Sequence, residues 1–216
     1  MPEAFFGPLY YVSLVVATLV AIIFHEISHG VVALWMGDRT ARDAGRLSLN
    51  PIRHVHPVGT IILPGILIVT AALGVGSGVV FGYAKPVPID SAKLSNPRHQ
   101  LLAISLAGPL TNVVLAVIGG LLLRVVGVVE SIALLQIALP WVLVNVFIAA
   151  FNLLPFPPLD GSEVIAWLLP GKARVAFRSA ERFAMPVLLV LVLVFPRFFF
   201  GIVEPLATWL LDVVLA

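Results

Sequence analysis

His25-Glu26-Ile27-Ser28-His29 places two imidazoles four residues apart with a carboxylate directly after the first. On a helix, residues four apart return to nearly the same face, so His25 and His29 can reach one metal ion while Glu26 points to the neighbouring position of a water. The chemistry of such a set is metal-assisted hydrolysis, with Glu26 as the proton acceptor. A catalytic zinc site takes three protein ligands and leaves one position open. HEISH supplies two, so a third must come from elsewhere. The chain has no cysteine, which leaves His, Asp and Glu as candidates.

The surroundings of the motif are unusual for charged groups. Leu9 to Phe24 is an uncharged apolar run, and apolar residues resume at Val31. Gly37 and Asp38 mark the end of the helix. Counting back at 1.5 Å per residue puts His29 about 13 Å and His25 about 18 Å from that end, against a hydrocarbon core about 30 Å thick. Ionisable groups at that depth are paired, metal-bound or turned to a wet cavity.

Composition agrees with a membrane protein. Of 216 residues, 60% are hydrophobic and 11% charged, with a mean hydropathy of +1.09, which excludes an ordinary soluble domain. A net charge of +2, with the basic residues in separate clusters, gives no nucleic-acid footprint. No fixed-period repeat and no soluble domain of useful size is visible. Residues 1–216 read as one all-α, polytopic membrane domain. The partners this implies are the bilayer and a membrane-embedded substrate.

The elements follow from hydropathy and breakers. Residues 8 to 36 form the first helix, and 38 to 56 a basic segment whose Gly45-Arg46-Leu47-Ser48-Leu49-Asn50-Pro51 reads as a short strand or interfacial loop. Pro57 to Val80 is apolar but broken by Pro57, Gly59, Pro64, Gly65, Gly74, Gly76 and Gly78, which argues for irregular backbone held against protein or a cavity. Lys85-Pro86-Val87-Pro88 reads as extended chain. Leu101 to Val129 and Ile132 to Leu154 are long enough to span. Lys172 to Arg182 is basic and amphipathic, and Phe183 to Ala216 is one long span or a short pair. The expected architecture is a bundle of about four to six transmembrane helices with a re-entrant or short β-like segment near the metal.

Asp160 sits at the proline-broken end of an apolar helix, in Asn152-Leu153-Leu154-Pro155-Phe156-Pro157-Pro158-Leu159-Asp160-Gly161. With this motif the chain resembles the site-2 proteases, membrane-embedded zinc metalloproteases that pair HExxH on one helix with N-x-x-P and D-G on a later one. The resemblance extends to Gly45-Arg46-Leu47, Lys85-Pro86-Val87-Pro88 and Ala107-Gly108-Pro109-Leu110-Thr111-Asn112. It implies one zinc ion held by His25, His29 and Asp160, with Glu26 as general base. It also implies peptide-bond cleavage within transmembrane helices or signal-peptide remnants, and a multi-pass location in a prokaryotic plasma membrane. Asn152 corresponds to a family asparagine that holds the substrate or its oxyanion, although an interhelical hydrogen bond would equally suit an amide there. Asn112 and Asn145 read as hydrogen-bonding glue between helices. His56 replaces a family aspartate, so His54 and His56 read as structural or surface residues, and His99 as a loop residue. Two other classes fit parts of the pattern: a metal or ion transporter lined by His and Asp, and an inactive relative acting as a scaffold. A transporter has no need of Glu26 beside His25.

Bringing Asp160 to the two histidines also sets topology. The first helix and the helix ending at Leu154 must run in the same direction. Pro57 to Val80 then cannot be one complete crossing and is expected to be a re-entrant or in-plane hairpin. Eleven of the thirteen basic residues fall on one side under that arrangement, marking it as cytoplasmic.

Overall fold

The computed structural model describes residues 6–74, 82–125 and 131–215. Among the described residues, four helices are long and apolar enough to cross a membrane: α1 (Pro8–Trp35), α4 (Pro97–Val125), α5 (Ile132–Leu153) and α9 (Pro196–Leu215). Between α1 and α4 lie the short α2 (Thr40–Asp43) and α3 (Leu63–Ala72), and between α5 and α9 lie α6 (Ser162–Leu168), α7 (Gly171–Ala180) and α8 (Ala184–Val194). The chain is an all-α polytopic fold, with no strand among the described residues.

α1, α4 and α5 pack mutually and form the cage for the site. Their relative directions can be read from contacts along their lengths. The α4 beginning meets the α1 end, where the Gln100 amide donates to Met36 O at 3.5 Å. Further along α4, Asn112 reaches back to Ala21 O of α1 and across to Asn145 of α5, and Trp141 Nε1 donates to Leu115 O. α1 and α5 therefore run in the same direction and α4 runs against both, as the ligand geometry demands. α9 runs alongside α4. Its Phe199 ring meets Phe151 near the end of α5, and Arg124 at the end of α4 donates to Leu215 O.

An apolar cluster including Ala116, Val142, Val146, Leu188, Val192, Val203 and Leu210 joins α4, α5, α8 and α9. Small residues permit close approach here. A Cβ on Gly119 would lie 2.6 Å from the Trp141 ring, and one on Gly120 2.8 Å from Val214 O. Close helix contact is what replaces hydrophobic drive inside lipid.

Residues 38–96 leave and return at the same end of the bundle. Gly45-Arg46-Leu47 is loop with no strand assigned, so the strand option for it is not realised; Gly45, at φ +64°, turns the chain in a region open to glycine. Pro57–Ala72 is one short apolar helix that opens with a π turn over Pro57–Ile62. At 1.5 Å per residue its length is about 24 Å, too short for a straight crossing. The excursion closes on itself, because Tyr83 N–H donates to Gly59 O at 3.0 Å and Thr60 Oγ1 donates to Tyr83 O at 3.0 Å. The expected hairpin also includes residues 75–80, which lie outside the described residues. The final apolar block is a pair, α8 and α9, broken at Phe195 and Pro196.

Candidate metal centre

α1 carries His25, Glu26 and His29 on its inner side, with both imidazoles buried. Each ring is held through Nδ1. His29 Nδ1 lies 2.7 Å from Ile104 O, a pure acceptor, so the proton sits on Nδ1. His25 Nδ1 lies 2.7 Å from Asn112 Oδ1. The Asn112 amide nitrogen donates to Ala21 O at 3.2 Å and to Asn145 Oδ1 at 2.9 Å, and Asn145 Nδ2 donates to Trp141 O at 2.9 Å. This chain of amides leaves Asn112 Oδ1 as the acceptor facing His25 and again places the histidine proton on Nδ1. Both Nε2 lone pairs are thereby directed to one point, the arrangement a metal ligand pair requires.

Asp160 completes the set. Its Oδ2 lies 3.1 Å from His25 Nε2 and 3.4 Å from His29 Nε2, and although buried it takes no hydrogen bond. One ligand atom from each of the three residues falls within 4.8 Å of the others. Gly108 of α4 leaves room for this cluster: a Cβ there would sit 2.5 Å from His29 Nε2 and 2.6 Å from His25 Cε1. Two directed imidazole lone pairs, an orphaned carboxylate oxygen and a glycine-made recess fit a zinc ion with three protein ligands.

The Asp160 loop is fixed from both sides. α5 ends at Leu153, the loop contains a cis peptide between Pro157 and Pro158, and Gly161 N–H closes back on Asn152 O at 2.6 Å. A side chain at Gly161 would run into the Leu153 and Leu154 carbonyls. Beyond the loop, the buried Glu163 pairs with Arg178 and ties α6 to α7. Burial works against the Arg178 charge, yet the contacts from Glu163 and then Glu181 hold its guanidinium above its usual pKa.

Glu26 is half-buried beside the histidines, and its Oε2 accepts a hydrogen bond from Val87 N–H at 2.9 Å. Asn152 donates from Nδ2 to Ile148 O of its own helix at 2.9 Å. That bond is intrahelical, unlike the interhelical one the sequence left open. Asn145 joins helices as expected, whereas Asn112 does more than join them: it also holds the His25 ring through Nδ1. A signal for it was present in the sequence, because Ile104, Gly108 and Asn112 stand at successive four-residue steps and form one stripe of α4. His54 is buried with Nε2 donating to Ser48 O, and His56 accepts from Gly59 N–H, so each makes a contact within residues 48–59. His99 lies in the first turn of α4, not in a loop, and accepts from Trp167 Nε1.

Comparison with known proteins points to a zinc metalloprotease. The chain is 38% identical over 185 residues to the Bacillus subtilis (strain 168) protein named "Putative zinc metalloprotease YwhC", a match covering 82% of this chain and 78% of the relative. The Mycobacterium tuberculosis (strain H37Rv) protein named in the same way as Rip2 is 30% identical over 213 residues, covering 94% of this chain and 74% of the relative. A shorter match, 42% identical over 64 residues, joins 30% of the chain to 32% of the Methanocaldococcus jannaschii protein named "Putative zinc metalloprotease MJ0611". No protein-family model and no solved structure matches the chain. The chain belongs to the site-2 protease family of zinc metalloproteases.

Proposed function

We propose that the chain is an intramembrane endopeptidase that hydrolyses peptide bonds within transmembrane helices or signal-peptide remnants, with one zinc ion held by His25, His29 and Asp160. The observation that carries this reading is the convergence of two Nε2 lone pairs and the orphaned Asp160 oxygen inside a bundle of membrane-length helices, with Glu26 alongside. Bound there, zinc would lower the pKa of a water toward about 7 and polarise the peptide carbonyl. Glu26 accepts the proton of the attacking water and returns it to the leaving amine. With their Nδ1 protons given to Asn112 and Ile104, His25 and His29 would offer Nε2 to the metal. Asn152, whose amide has a second N–H beyond the one given to Ile148, serves as a donor to the substrate carbonyl without adding charge.

A peptide bond in a helix is protected by its own hydrogen bonds, so substrates are single-span helices with residues that weaken the helix. The membrane is a prokaryotic plasma membrane, with the basic loops and the site nearer the cytoplasmic face.

The test uses the full chain in lipid nanodiscs with a model transmembrane peptide. Glu26→Gln abolishes turnover with zinc retained, whereas His25→Ala, His29→Ala and Asp160→Ala each lose zinc. Near-normal cleavage by Glu26→Gln would overturn the assignment.

A further inference from the structure

Gly45-Arg46-Leu47 and Lys85-Pro86-Val87-Pro88 lie about forty residues apart in sequence, and neither supplies a ligand. The fold brings both against α1 beside Glu26. Residues 83–90 run without regular secondary structure and are pinned at alternate positions. Tyr83 N–H donates to Gly59 O at 3.0 Å, Lys85 N–H to His54 O at 2.9 Å and Val87 N–H to Glu26 Oε2 at 2.9 Å. Arg46, itself buried, donates from Nη2 to Lys85 O at 2.5 Å. On the far side Asp90 N–H donates at 2.7 Å to Oδ2 of Asp38, which is fully buried.

Packing fixes the same contact. Val87 is buried, and Gly30, the residue after His29, is where it meets α1: a Cβ there would come within 3.1 Å of Val87 and 2.5 Å of Leu47. The prolines restrict what this segment can do. Pro86 and Pro88 have no N–H, so between Lys85 and Ile89 the sole backbone donor is Val87, and it is committed to Glu26.

We propose that Lys85-Pro86-Val87-Pro88 is a positioning strap for Glu26, anchored by Arg46 and Asp38, in which the Val87 N–H fixes one carboxylate oxygen and leaves Oε1 to meet the reacting water. This rests on the reading of Glu26 as general base. Held by a single directional bond at one oxygen, the carboxylate keeps the geometry that proton transfer needs, and a misplacement of about 1 Å is enough to cost about a hundredfold in rate.

The decisive change is to the Val87 backbone alone. In the full-length zinc-loaded protein in nanodiscs, Val87 is replaced by its α-hydroxy analogue, which turns the N–H into an ester oxygen and keeps the side chain. Turnover of the model peptide falls about ten- to a hundredfold in kcat, with KM and zinc content unchanged. Unchanged kcat in the ester protein alongside an inactive Glu26→Gln overturns the strap and leaves the peptidase reading standing. Activity in Glu26→Gln overturns that reading itself. Should the ester protein melt early or lose zinc, Arg46→Ala and Arg46→Lys decide. The strap requires about a tenfold kcat loss in Arg46→Ala, largely rescued in Arg46→Lys, and equal kcat in the two would overturn it.

Discussion

His25 Nδ1 and Asn112 Oδ1 lie 2.7 Å apart in the middle of the bundle, and this contact sets which nitrogen of His25 faces the metal position. Asn112→Ala removes the acceptor, frees the ring to turn and leaves the Nδ1 proton buried without a partner. Zinc affinity, measured by chelator competition, falls about ten- to a hundredfold. Asn145→Ala, one step further from the ring, gives a smaller loss in the same titration.

Gly108→Ala separates local from global effects. Alanine in a helix interior is worth about 1 kcal/mol over glycine, so helix propensity favours the variant. Its methyl would nevertheless occupy the space of the His29 ring. Zinc content, read by metal analysis of the purified protein, drops well below that of wild type without loss of helical signal in circular dichroism.

Asp38 gives a pH-dependent contribution. Burial disfavours its charge, but hydrogen bonds from the Thr40 hydroxyl and from the Asp90 and Thr40 backbone, with Lys93 nearby, hold its carboxyl below the usual range. A depressed folded-state pKa means the stabilisation is present above the unfolded-state value near 4 and is lost as pH falls through the folded-state value. Thermal melts of wild type and Asp38→Asn should therefore differ most at neutral pH and converge as the pH drops below about 4.

Topology can be tested without background, since the native chain has no cysteine. The Gln100 amide on Met36 O and Arg98 on Trp167 O place the ends of α1, the start of α4 and the end of α6 at one end of the bundle. Single cysteines at Ser48, Ser91 and Ser179 should all resist a membrane-impermeant thiol reagent in intact cells and all react once the cells are opened. Labelling of Ser91→Cys alone from outside would contradict the closed excursion at Gly59 and Tyr83.

The residues that form the centre were legible because helical spacing and depth are both sequence properties: His25 and His29 share a face, and the prolines after Leu154 bring Asp160 out of a helix at the right level. The parallel direction of α1 and α5 followed from that pairing. What stayed hidden depends on which neighbour a side chain meets. An asparagine in an apolar helix has to find a polar partner, but the sequence does not say that the partner of Asn112 is an imidazole. The strap was hidden for a similar reason: Val87 contributes a backbone N–H, which no side-chain pattern announces, and Arg46 acts on a carbonyl. At Pro57–Ala72 the glycines and prolines pointed to irregular backbone, whereas the segment is a short helix that opens with a π turn, because breakers near a helix start are tolerated there.

The ligands come from widely separated parts of the chain, and this has a consequence for biosynthesis. His29 is made about 130 residues before Asp160, which at about 5–20 residues per second is on the order of ten seconds of translation. During that interval α1 enters the membrane with two imidazoles and a carboxylate that lack their third ligand, and only the arrival of α4 supplies Ile104 and Asn112 as partners for the rings. Until the Asp160 loop after α5 has been made, the nascent chain therefore holds only two of the three side chains of the candidate centre.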